Sequence, residues 1–261
     1  MTSNNPQSLP TTLQTFLKTI QTDLPNIIPE NLVGIYIYGS ISYGDFAEGR
    51  SDVDVAAVVK RRLNKDERQK LNDWYKSEPM TSSPWLKKLE MDYIVFEDIS
   101  INIKNRMEAS RFAGGKLKET AIFDGAILDW ENIRSCGIVL YGEDPKSFIP
   151  ETDEKLLFEA LADKFQALKE NIFDWVKIDL WNQVYVVVQL CRVIYALKNH
   201  GQPVSKKAAA EWCEKNLPDQ FRSMVSVVLN KMDNFTGPLE NVISDNLEDL
   251  VKYVQRLFKK I

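Results

Sequence analysis

One histidine, His200, and three cysteines, Cys136, Cys191 and Cys213, are all that this 261-residue chain offers of the side chains that most often bind transition metals or act as soft nucleophiles. An odd number of widely spaced cysteines argues against a disulfide framework and against a zinc site. A lone histidine argues against histidine-based metal or triad chemistry. Catalysis therefore falls to carboxylates. Long apolar runs are missing too: the longest, Val184–Leu197, is broken by Gln189 and Arg192 and falls short of the roughly 18 residues that a membrane-spanning helix needs. The N-terminus, Met1-Thr2-Ser3-Asn4-Asn5-Pro6, has no basic segment followed by an apolar one, so no secretory signal is read and a cytoplasmic location is expected. A basic tract is absent as well. The net charge is −4, and Lys60-Arg61-Arg62 is a short cluster at a strand end that reads equally as a solvated loop. Stable binding to nucleic acid is not expected, and an acidic protein suits a small or cationic partner better.

What is present is an ordinary globular composition, long enough for one large or two small domains with a substantial core. The most informative stretch is 34–59. It reads as an apolar strand (about 33–38), a Gly39-Ser40 turn, a polar loop, and a second apolar strand (53–59) entered through Ser51-Asp52-Val53-Asp54. Side chains alternate across a strand, so Asp52 and Asp54 share one face while Val53 and Val55 take the other. Two such carboxylates repel unless a cation lies between them, and hard oxygen ligands suit Mg²⁺. Glycine at a strand-to-helix turn lets a phosphate approach the backbone amides. Gly-Ser and Asp-x-Asp together describe a metal-triphosphate site.

A second carboxylate pair lies in Leu89-Glu90-Met91-Asp92-Tyr93-Ile94-Val95-Phe96, where alternation again places Glu90 and Asp92 on one face of a strand. Around these strands, Leu13, Phe16, Leu17, Ile20 and Leu24 predict an amphipathic helix that ends before Pro25, and Asn64 an N-cap for a helix from 65 to about 77. Ser110-Arg111-Phe112-Ala113-Gly114-Gly115-Lys116 reads as a glycine-bearing mobile loop, 118–135 as a helix, and Gly137–Pro145 as a short extended segment closed by a turn. From Thr152 onward the pattern is helical throughout, and five helices are expected: one through Leu156–Ile172, then Val184–Leu197, Ser205–Asn216, Gln220–Met232 and Leu239–Lys260. Arg192 stands among Val186, Val187, Val188, Leu190, Val193 and Ile194, company in which a guanidinium needs an anionic partner. An internal Asp or Glu and a bound triphosphate both satisfy that need.

An apolar strand, Gly-Ser, about a dozen residues and then Ser-Asp-x-Asp running into an apolar strand resembles the signature of the polymerase-β-like nucleotidyltransferases. The helical half narrows the likeness. Gln189–Tyr195, the turn at Asn199-His200-Gly201, and Ser205-Lys206-Lys207-Ala208-Ala209-Ala210-Glu211-Trp212 through Leu217-Pro218 resemble the helical domain of the aminoglycoside nucleotidyltransferases that adenylylate streptomycin and spectinomycin. The resemblance implies an α/β (α+β) chain of two domains: a nucleotidyltransferase domain with a small mixed sheet, 1–150, and an all-α helical domain, 151–261. It further implies that Gly39, Ser40 and Ser51 hold the triphosphate, that Asp52 and Asp54 bind two Mg²⁺ ions, and that Arg192 and Lys206 reach the phosphates of ATP. Glu90 would be the general base, with Asp92 a further metal ligand or an alternative base. Trp175, Asp179 and Asn182 lie in the segment that binds the drug in those enzymes. There the sequence departs from them: Asp179-Leu180-Trp181-Asn182-Gln183 replaces their acidic-Arg-Asn cluster, and Met232 stands near their Tyr. The implied reaction moves AMP from ATP to a hydroxyl of a small cationic acceptor. A protein or RNA hydroxyl, and a silent nucleotide-binding module, are the alternatives.

Overall fold

The computed structural model describes residues 9–101, 107–123 and 126–260, so the N-terminal segment read above for a secretory signal lies outside the described residues. The chain divides into two compact units, Met1–Thr152 and Asp153–Ile261.

The first unit is built on a six-stranded sheet in the order β5-β4-β3-β2-β1-β6. Its strands are β1 (Leu32–Ile37), β2 (Val53–Val59), β3 (Leu89–Val95), β4 (Met107–Ala113), β5 (Lys116–Phe123) and β6 (Ile138–Tyr141). β2 and β3 are parallel and every other pairing is antiparallel, so the sheet is mixed. Alternation divides its side chains between two faces. One carries Ile35, Ile37, Val53, Val55, Ala57, Val59, Leu89, Met91, Tyr93 and Phe112 into a core with Leu13, Phe16, Leu17, Ile20 and Leu24 of α1 (Thr11–Ile27) and Leu71, Trp74 and Tyr75 of α3 (Lys65–Tyr75). The other carries Tyr36, Tyr38, Ala56, Val58, Ile94 and Ala109 against Trp130 and Ile133 of α6 (Ala126–Cys136). Each large side chain so buried contributes about 1.5–3 kcal/mol. The polar end of that second face is where the chemistry lies.

Local sequence sets several boundaries. Asn64 caps α3 in a reciprocal box, its side chain accepting from the Glu67 amide while Glu67 accepts from the Asn64 amide, and Arg61 adds an ion pair to Glu67 at 2.8 Å. With Arg62 paired to Glu108 at 3.1 Å, two members of the Lys60-Arg61-Arg62 cluster are neutralised within the sheet's own surroundings. α1 runs past the expected stop and holds Pro25 inside its last turns. The larger correction concerns 107–123. The expected loop and helix start are instead the β4–β5 hairpin, turning at Gly114 (φ 57°) and Gly115 (φ 77°). A two-residue turn with positive φ at both positions matches the strands' twist, and glycine reaches it without strain. Helix begins only at Ala126.

The second unit consists of five helices: α7 (Glu154–Trp175), α8 (Leu180–Lys198), α9 (Lys206–Asn216), α10 (Asp219–Lys231) and α11 (Asn241–Phe258). Asp153, Asp179 and Ser205 cap α7, α8 and α9 through side-chain oxygens. By length and composition α8 is apolar enough to cross a membrane, but 72% of that window is buried inside the protein, as in a core helix.

Candidate active site

The site is assembled at the mouth of β1, β2 and β3. β1 is followed by Tyr38, whose amide donates to the Asp54 carbonyl at 3.1 Å, and the chain then turns at Gly39 with φ 66° into α2 (Gly39–Ser42). A Cβ on Gly39 would lie 2.1 Å from Asp54 Oδ2, so the Asp54 carboxylate rests directly on the backbone of the turn. Only glycine permits both that backbone conformation and that approach.

The loop back to β2 is tied down at several points. Asp45 donates its amide to the Ser40 carbonyl, Arg50 pairs with Asp45 at 3.7 Å, and the Ala47 amide donates to Ser51 Oγ while Ser51 returns its own amide to the Ala47 carbonyl. Phe46 packs on Trp85, and Lys88 Nζ donates to the Glu48 carbonyl. Ser51, expected to touch the triphosphate, is buried and closes this loop, its Oγ accepting from the Ala47 amide just ahead of Asp52 and Asp54.

Asp52 is exposed, and Asp54 and Glu90 are half-buried. The parallel pairing places Asp54 opposite Glu90 and Ala56 opposite Asp92, so Asp54 and Glu90 stand side by side on adjacent strands about 4.8 Å apart. Ser40 is half-buried beside them, and its hydroxyl has no protein partner among the described residues. The Gly39 amide, expected to be available to a phosphate, donates instead to Asn132 Oδ1 of α6 at 2.8 Å. Asn132, a residue the sequence reading passed over, also donates to Ser42 Oγ and so fastens the turn to the covering helix. No spacing in the sequence marks it, because its partners lie some ninety residues away.

Asp92 also departs from expectation. It is completely buried, and its two carboxylate oxygens accept from Arg111 Nε and Nη2, each at 2.8 Å. Burial pushes its pKa up while the guanidinium pulls the other way. Both oxygens, expected to meet a metal ion or an acceptor proton, are thus engaged by Arg111. Tyr38, buried on the same face of the sheet, has its hydroxyl pKa raised by burial first and then by the negative charges of Asp129, Asp92 and Asp54.

Among the described residues, no three His, Cys, Asp or Glu side chains cluster as a self-sufficient metal cage. The fit to Mg²⁺ is of a different kind. This ion takes one or two carboxylates and fills its octahedron with waters and substrate phosphates. Asp52 and Asp54 supply such a pair of hard oxygen donors, and the close seat of Asp54 on Gly39 fixes one of them.

In the helical unit, Lys206 opens α9 and its ammonium lies 5.8 Å from the centre of the Tyr185 ring. Tyr185 stacks on Trp181 at 5.0 Å and approaches Trp175 at 6.2 Å, which gathers three aromatic rings and a cation at one place. Trp181 and Tyr185 escaped the sequence reading, although their four-residue spacing puts them on one helix face. Asp179 and Asn182, expected to meet the acceptor, are bonded to each other as the cap of α8, with Asp179 Oδ1 accepting from both nitrogens of Asn182. Arg192 lies on the half-buried stripe of α8 with Tyr185 and Tyr195. Among the described residues no carboxylate pairs with it.

A family model of the nucleotidyltransferase domain matches residues 15–113, and one of the aminoglycoside adenylyltransferase C-terminal domain matches residues 148–260. No curated protein matches the sequence significantly. Among solved structures the chain is similar to spectinomycin adenyltransferase AAD(9) from Enterococcus faecialis, solved with ATP and spectinomycin: 15% identity over 95% of this chain and 98% of that one, with a TM-score of 0.69. At that identity the likeness speaks for the fold, and the two family models, which between them span most of the sequence, speak for the lineage. The chain thus carries, one after the other, a nucleotidyltransferase domain and an aminoglycoside adenylyltransferase C-terminal domain, the pair that marks an aminoglycoside adenylyltransferase-like nucleotidyltransferase.

Proposed function

We propose that the protein transfers AMP from ATP to a hydroxyl of a small cationic acceptor of the aminoglycoside type, with spectinomycin and streptomycin the first to test. The observation that carries this reading is the Asp54–Glu90 pair in parallel register, with Asp54 seated on Gly39. Mg²⁺ held by Asp52 and Asp54, two ions on the family's pattern, would supply positive charge at the α-phosphate and at the departing pyrophosphate. Glu90 accepts the proton of the acceptor hydroxyl as its oxygen bonds to the α-phosphorus, and the bond to the β-phosphate bridging oxygen breaks to release pyrophosphate. Ser40 donates its hydroxyl to the triphosphate. Arg192, a half-buried cation without a carboxylate partner among the described residues, and Lys206 are assigned to the nucleotide phosphates on their chemistry. The stacked Trp181–Tyr185 pair, with Trp175 tilted beside it, supplies aromatic faces suited to a cationic drug or a nucleobase.

The test is pyrophosphate release from Mg-ATP across a panel of aminoglycosides that includes both drugs. Release with at least one acceptor, abolished by chelation, supports the reading, and Glu90→Gln should lower kcat about 10²–10⁴-fold with little change in the KM for ATP. Silence across the panel, with labelled ATP marking a protein or RNA in lysate, would transfer the chemistry to a macromolecular acceptor.

A further inference from the structure

The face that presents Asp54 and Glu90 carries a second polar row two residues further along the strands, made of Asp92 and Arg111. A wholly buried carboxylate at position 92 would be strongly destabilising alone. β4 lays Arg111 directly opposite Asp92 in antiparallel register, and the planar guanidinium takes both carboxylate oxygens. The same Nη2 atom lies 3.9 Å from Glu90 Oε2. Residues two apart on a strand share a face, so one guanidinium spans Glu90 and Asp92 together.

The strand order β4-β3-β2 then fixes the surroundings of Glu90. On its β2 side stands the Asp54 carboxylate, which repels it; on its β4 side stands Arg111, which draws it the other way. Asp129 of α6 adds negative charge near Asp92, so the acids that face this row come from β2, β3 and α6. Arg111 answers from β4, and because its fork is already bonded twice to Asp92 it cannot swing to follow a mobile Glu90. A lysine could keep the charge but not the two bonds together with the reach to Glu90.

We propose that Arg111, anchored on buried Asp92, is a positioning residue that holds the Glu90 carboxylate in place beside Asp54. This rests on Glu90 acting as the base in the reaction proposed above. It is a task the sequence gives no sign of, because Arg111 sits in a stretch that reads as a loop.

Two experiments on the full chain test it. In the first, Arg111→Lys, Glu90→Gln and the double variant are assayed with Mg-ATP and the best acceptor. Arg111→Lys, which keeps a cation against Asp92, should lower kcat about ten- to a hundredfold while the KM for ATP stays within about twofold. In the Glu90→Gln background the same change should cost nothing further. Losses that multiply in the double variant, or a raised KM for ATP with kcat intact, would overturn the proposal, the latter by placing the guanidinium on the nucleotide. The second experiment needs no activity. Glu90→Gln is introduced into the wild type and into an Asp92→Asn/Arg111→Gln double variant, where both charges are gone and none is left buried alone. Without Arg111 only the repulsion from Asp54 is relieved, so Glu90→Gln should raise the melting temperature by about 2 °C or more relative to its effect in the wild type. Equal shifts in both backgrounds would show that Arg111 does not hold Glu90. If the wild type transfers no adenylyl group to any acceptor, the proposed reaction fails while the melting comparison still decides the Arg111 contact.

Discussion

On one face of the sheet Val53, Val55, Leu89, Met91 and Phe112 are buried among apolar neighbours; on the other, one residue along the same strands, stand Asp54, Glu90, Asp92 and Arg111. The backbone is common to both, and only the pleat separates them. The first face supplies folding energy by burial, whereas the second spends some of it on carboxylates held close together and on an ion pair taken out of water. Strand alternation thus lets one short segment, 53–55, do both jobs without compromise between them.

The contrast can be broken from either side. The largest effect is expected for Asp54→Asn, which should lower kcat about a thousandfold or more while the melting temperature stays within a few degrees of wild type; pyrophosphate release and thermal unfolding measure the two. On the opposite face Met91→Ala, at a fully buried side chain that accepts the Tyr75 hydroxyl at 3.3 Å, should cost about 2–5 kcal/mol of stability by urea titration, with kcat per folded molecule nearly unchanged. Gly39→Ala joins the two faces' penalties. Its φ of 66° and a Cβ 2.1 Å from Asp54 Oδ2 should lower stability by about 1–2 kcal/mol and also displace the carboxylate and depress kcat. Gly115→Ala has a similar φ of 77° but open space around its Cβ, so it should lower stability alone. The smallest effect concerns Tyr36, whose pKa is pushed up to about 12 by burial and by the nearby Glu143 and Asp144. A raised acid contributes stability that is whole below pH 10, its ordinary value, and is lost as the pH climbs through about 12. Melting temperature against pH should therefore fall more steeply over that range in the wild type than in Tyr36→Phe.

Much of this face was legible because its cues are local. Asp52-Val53-Asp54 and Leu89–Val95 announce strands by alternation, and capping residues such as Asn64 and Ser205 mark helix starts, since each acts within a few residues of itself. The helices of the second unit follow from their apolar period, with boundaries shifted by a few positions. The reading failed where a long-range partner decides. Arg111 in a Gly-Gly stretch looks like a loop until β3 and Asp92 pair with it. The bond by which Ser51 closes the loop from Ala47 is likewise invisible in its spacing. The bidentate bond of Asp92 to Arg111 joins residues from two strands and has no local cue.

By itself the sequence determined which residue types are available for chemistry, the strands that carry them, and the face on which they fall, since alternation and helical period are properties of the backbone. Only the tertiary structure decided which of those acids face a cation that is already bonded elsewhere and which amides of the Gly39 turn are already spent. Those outcomes depend on the register of one strand against the next and on what α6 lays over the sheet, and neither is encoded within the few residues over which local cues act.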